Sequence, residues 1–121
     1  MFDFFFPTEG MGSQTLRLVA EAGEGGGDVF EIARVCREIE PGNHESWEKA
    51  WIAKAEDTEA RAKKCLADGH ERSAMKYFFA ANQYWRMADV FLRYDRNDEK
   101  AAYFRKSQEN FRAAAALHDP P

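Results

Sequence analysis

The stretch Ser73–Tyr94, SAMKYFFAANQYWRMADVFLRY, decides how the chain is read. Its apolar residues recur at three- and four-residue intervals, the period of an α-helix. One stripe holds Ala74, Tyr77, Phe78, Ala81, Tyr84, Trp85, Ala88, Phe91 and Leu92, enough to seat a helix in a bundle. A second stripe runs through Met75, Phe79, Asn82 or Gln83, Arg86 and Val90. A helix that is apolar on more than one side is a buried helix, so the second stripe is covered either by the rest of the chain or by something outside it. Left bare, a few aromatic side chains of ~150–250 Å² each would approach the ~300–600 Å² of the largest apolar patch on a typical monomer. Asn82, Gln83 and Arg86 set among aromatic residues also suit a pocket, with apolar walls and a few orienting polar groups.

The flanking sequence is helical as well. Asp28 and Glu31 form a capping box, and Val29, Ile32, Val35, Cys36 and Ile39 make the stripe that follows it. Pro41 and Gly42 stop that helix. The next runs from about His44 to Asp68, with Trp47, Ala50, Trp51, Ala55, Thr58, Ala62, Cys65 and Leu66 on its apolar side and Gly69 at its end. Small residues along this seam let a neighbouring helix come close. After DRND, a last helix spans about Glu99 to Leu117, with Phe104, Phe111, Ala114 and Ala115 repeating on one side. Pro120 and Pro121 give an extended exit. No segment alternates with the two-residue period of a strand. The expected fold is all-α, with four antiparallel helices over residues 28–121. Residues 1–27 are expected to be an aromatic tail, MFDFFFP, followed by a glycine-rich hinge at Gly23–Gly27.

The 121 residues suit one domain, and the 45% hydrophobic content argues against disorder. A net charge of -4 argues against a basic nucleic-acid surface. No apolar run approaches the ~18 residues of a membrane span. The N-terminus lacks the basic stretch and small-residue cleavage site of a secretory signal, which favours the cytoplasm. Cys36 and Cys65 sit at apolar helix positions and read as small hydrophobes rather than a disulfide or zinc pair. The glycine run lacks the Lys-Ser/Thr of a phosphate loop. None of Ser13, Ser46, Ser73 and Ser107 lies in G-x-S-x-G, and His44, His70 and His118 all adjoin turns. No catalytic set, metal site or cofactor is expected within these residues.

The order GGGDVFEIARV, ESWEKAWIAKA, GHERSAMKYFFAANQYWRMADVF and FRAAAALHDPP resembles the N-terminal helical region of one α/β-hydrolase group. That group includes 2,6-dihydroxypseudooxynicotine hydrolase, the fungal yellowish-green pigment hydrolases that shorten polyketides, and relatives of the fermentation-respiration switch protein. The resemblance covers about Gly25 to Pro121 and is carried by Gly27-Asp28 with Glu31, Ser46-Trp47 with Trp51, Gly69-His70 with Ser73-Ala74, and Tyr84 with Arg86. Relatives often carry Arg-Ala-x-x-Tyr-Tyr-Arg; here Ala80 stands in place of the first Arg and Trp85 in place of the second Tyr. The resemblance implies a cap over a catalytic domain that holds a Ser-Asp-His triad and an oxyanion hole, in the same polypeptide or a separate chain. It implies hydrolysis of a carbon–carbon or ester bond in an aromatic or polyketide-like carbonyl substrate. Trp47, Trp51, Phe79, Gln83 and Arg86 are then the expected substrate-facing residues. The aromatic tail offers a surface through which two chains could form a homodimer.

A helical-repeat interaction module is the alternative. Ala74, Phe78 and Ala81 have the spacing of a tetratricopeptide helix. The repeat needs a period of about 34 residues, and the residue that far beyond Ala74 is Gln108.

Overall fold

Two glycines and an asparagine set the ends of the longest helix. Gly42 takes φ 80°, a left-handed conformation that glycine adopts without a Cβ clash. Asn43 follows as the cap: its side chain accepts from the Ser46 amide at 3.1 Å, and Ser46 Oγ donates back to the Asn43 carbonyl at 2.8 Å. At the far end Gly69 takes φ 82°, and the amides of Gly69 and His70 donate to the carbonyls of Leu66 and Cys65.

The computed structural model describes residues 9–22, 29–92 and 95–118. They form α1 (Glu9–Ala22), α2 (Val29–Arg37), α3 (His44–Ala67), α4 (Glu71–Asp89) and α5 (Asn97–Leu117), with no strand among the described residues. The all-α reading stands, with five helices in place of the four expected. The additional one, α1, lies in the segment read as a tail, and its Met11, Thr15 and Leu18 are buried. Helix α4 also ends sooner than the sequence suggests, because Val90 and Phe91 form a turn. The Phe-rich residues 2–6, the glycine run 23–27, the Asp28 cap, Tyr94 and the final prolines lie outside the described residues.

Helix α4 is central, with α3 on one side and α5 on the other. Trp47 Nε1 donates to the Met87 carbonyl at 2.7 Å, Trp51 stacks on Tyr84 at 5.6 Å, and Ala62 clusters with Ala74 and Phe78. These pairs rise along α3 as they fall along α4, so the two helices run in opposite senses. The same reversal relates α4 to α5: Trp85 stacks on Tyr103, and Phe79 meets Phe111 edge-on. Ala55 and Ala62 on α3 and Ala74, Ala81 and Ala88 on α4 are almost fully buried, which lets the backbones approach. Side chains also reach across α4. Glu59 of α3 accepts from Asn110 of α5 at 2.7 Å, and Glu48 of α3 is bonded by Arg96 and Tyr103. Helix α2 is tied to α3 by Glu31 and Lys54 at 3.3 Å, and α1 reaches the α3 entry turn where the Gly42 amide donates to Met11 Sδ at 3.4 Å.

Candidate functional site

The second stripe of α4 divides between two neighbours. On one edge Gln83, Arg86 and Met87 meet Arg17 and Leu18 of α1. On the other, Phe79 packs on Phe111 of α5 with centroids 5.9 Å apart, and Ser107 Oγ donates to Asn82 Oδ1 at 2.6 Å. What remains open is a groove of about 330 Å³, lined by Asn82, Arg86, Phe104, Ser107, Gln108, Phe111 and Arg112.

The groove exists because α5 is rotated away from its sequence expectation. Phe104 and Phe111, read as part of the packed side, are 55% and 51% exposed, and Ala115 is exposed as well. The packed side is instead Ser107, Asn110 and Ala114, spaced three and four apart. Small and medium side chains at those positions bring α5 close to α4 and leave no room beneath it for phenylalanine. The signal was present in the sequence, but two of its three residues are polar and did not count toward an apolar stripe. Val29 and Leu66, also read as apolar-stripe residues, are each 43% exposed.

Two arginines, Arg86 and Arg112, stand in the groove wall. Arg17, Arg86 and Arg112 make no ion pair among the described residues. The nearby Asp89 carboxyl is pushed up by burial, with Lys100 and Arg86 opposing that rise. A larger cleft of about 600 Å³ at the C-terminal end of α4 has His44, Glu48, Phe91 and Arg96 in its walls. Several of its side chains are already engaged. Arg96 donates to both Glu48 oxygens at 2.7 and 3.0 Å, and His44 stacks on Phe91 at 4.5 Å. Tyr103 also donates to Glu48. Burial, then the Glu48 carboxylate, raises the Tyr103 phenol to about 12.

Of the five residues expected to face a substrate, the structure gathers three. Phe79 and Gln83 are half-buried and Arg86 is exposed, all on the outer strip of α4. Trp47 and Trp51 are 0% exposed, 5.8 Å apart in the core between α3 and α4, and present no surface to a ligand. Phe104, Phe111, Arg112 and Arg17 join the site without having been singled out for it. Ser107 is the hydroxyl in the groove wall; it is 3% exposed and its proton goes to Asn82. The Ser107 hydroxyl is therefore committed to the contact between α5 and α4. Among the described residues no three His, Cys, Asp or Glu side chains are grouped to hold a metal, and no helix is long and apolar enough to cross a membrane.

Comparison with known proteins gives this site a context. The chain is 28% identical over 88 residues to a hydrolase of Aspergillus aculeatus, covering 73% of this chain and 21% of that protein. It is 29% identical over 105 residues to 20-hydroxy-prefusarin hydrolase of Gibberella moniliformis, covering 87% and 25%. An α/β-hydrolase of an Acremonium species is 28% identical over 107 residues, covering 86% and 22%. The chain is thus a distant relative of fungal hydrolases, α/β-hydrolases among them, and spans about a fifth to a quarter of their length. No family model matches the chain. No solved structure matches it.

Proposed function

We propose that this chain is the helical cap of a serine α/β-hydrolase that cleaves an ester or carbon–carbon bond in an aromatic or polyketide-like carbonyl substrate. The carrying observation is the coverage: most of this chain aligns with proteins named hydrolases, yet accounts for only 21–25% of the first two. The half-exposed phenylalanines of the α4–α5 groove and its arginines, which make no ion pair among the described residues, support the same reading, because a cap needs an outward face for its catalytic domain and substrate. Phe79, Gln83 and Arg86 line that face in this reading, and Trp47 and Trp51 hold α4 rigid from behind.

The cap would act by enclosure. Excluding water lowers the local dielectric, so donors aimed at a developing oxyanion act more strongly. The nucleophile, its base and the oxyanion hole would reside in the catalytic domain. The test is direct: the isolated 121-residue chain should not turn over p-nitrophenyl acetate, and co-expression or fusion with its hydrolase domain should yield an active enzyme. Robust turnover by the isolated chain would sink the proposal.

A further inference from the structure

We propose that the strip formed by Arg17, Arg86 and Arg112, with Phe104 and Phe111 beside it, binds a planar aromatic anion, an aryl carboxylate or phenolate. Three helices contribute. Arg17 of α1 and Arg86 of α4 line one small gap, and Arg86 and Arg112 of α5 line the groove next to it. The whole chain carries a net charge of -4, and two other clefts, of about 600 and 280 Å³, include Glu48 and Glu31 in their walls. This groove has two arginines and, among the described residues, no carboxylate in its lining.

The donor inventory points the same way. The Asn82 amide oxygen is occupied by Ser107, which leaves its Nδ2 as a donor, and both guanidiniums offer only donors. A wall of donors with few free acceptors suits an anion. Guanidinium pairs in a planar, bidentate fashion with carboxylates and stacks on aromatic rings, which suits a flat ligand. Two half-exposed phenyl rings supply apolar walls. The volume of about 330 Å³ lies at the lower end of small-molecule sites, ~300–1,000 Å³, and fits one or two fused rings better than a docked helix. The physiological meaning rests on the cap reading. Adding water across an ester gives a carboxylate and an alcohol, with the released proton going to solvent, so the acid product of such an enzyme is an anion.

The probe is 2-naphthoate, with the uncharged 2-naphthamide as its shape control, titrated into the 121-residue chain by calorimetry and by amide chemical shifts. Saturable 1:1 binding is expected, with shifts at Asn82, Ser107 and Arg112. Losing one charge-assisted pair should weaken it about tenfold, so Arg86→Gln, Arg112→Gln and the amide control should each show that loss. Lys63→Gln on α3 should bind as the parent does. Circular dichroism of each variant separates lost binding from lost fold. Equal affinity for the amide, unchanged binding by both arginine variants, shifts confined to the His44–Phe91 cleft, or self-association without saturable binding would overturn the proposal. The cap reading is judged separately by activity of the joined enzyme: activity without naphthoate binding removes only the anion site, and binding without activity removes only the cap.

Discussion

Glu59 ties three helices together through one carboxylate. Its side chain is 13% exposed. It accepts from Trp85 Nε1 of α4 at 3.3 Å, from Asn110 Nδ2 and Lys106 Nζ of α5 at 2.7 and 3.2 Å, and from Lys63 of its own helix at 3.2 Å. Burial alone would raise its pKa, but the hydrogen bonds from Asn110, Lys106 and Lys63 outweigh burial and hold it below the usual 4.5. A folded-state pKa below the unfolded one means that the unfolded chain binds the proton more readily. The stabilisation is therefore complete above about 4.5 and is lost as pH falls through the folded value. Thermal unfolding followed by circular dichroism should show the midpoint dropping in that acid window. Glu59→Gln should flatten that part of the profile and cost about 1–3 kcal/mol at neutral pH. An unchanged acid slope in the variant would assign the effect to other carboxylates.

At the scale of elements, legibility followed residue size and polarity. The α3–α4 seam was readable because its packed residues are apolar and helically spaced, from Trp47 to Ala62 and from Ala74 to Ala88. The α5 seam was not, because Ser107 and Asn110 are buried through hydrogen bonds to Asn82 and Glu59 that no one-dimensional pattern reveals. Helix α1 escaped for a different reason: Gly10, Gly12 and Ser13 are weak helix formers, and its order comes from burying Met11, Thr15 and Leu18. Of the site, Phe79, Gln83 and Arg86 were visible as a surplus stripe, whereas their α5 wall depended on how that helix is rotated. Ala80 shows the same dependence. It is 4% exposed, so a side chain as long as arginine at that position would have to displace its neighbours. Enlarging the true seam should therefore harm stability more than trimming the supposed one. Ala114→Leu, at a site with 0% exposure, should cost about 1–3 kcal/mol by overpacking. Phe104→Ser should change stability by about 0.5 kcal/mol. Urea unfolding of both variants decides the matter, and the reverse order would mean that α5 packs through its phenylalanines.

The whole molecule has two tiers of cohesion. Helices α3, α4 and α5 are held by interlocked aromatic rings and by the Glu48 and Glu59 networks. Helix α2 has nine residues, fewer than the ~12–15 at which isolated helices become even marginally stable in water. Helix α1 depends on a few buried side chains. Both should open without global unfolding, so their amides should exchange faster than those of Trp51 or Tyr84 at the centre. This bears on the anion site, because Arg17 belongs to the loose tier and Arg86 and Arg112 to the tight one. A ligand bridging them binds the closed form alone and stabilises it in proportion to its occupancy. If opening α1 destroys the site, 2-naphthoate at about a hundred times its Kd should slow α1 exchange about a hundredfold, while exchange within α2, which contributes no arginine to the strip, should be little changed. Slowing of α1 and α2 alike would mean that the two helices open as one unit. No slowing of α1 at saturation would place Arg17 outside the site and leave the arginines of α4 and α5 to hold the anion.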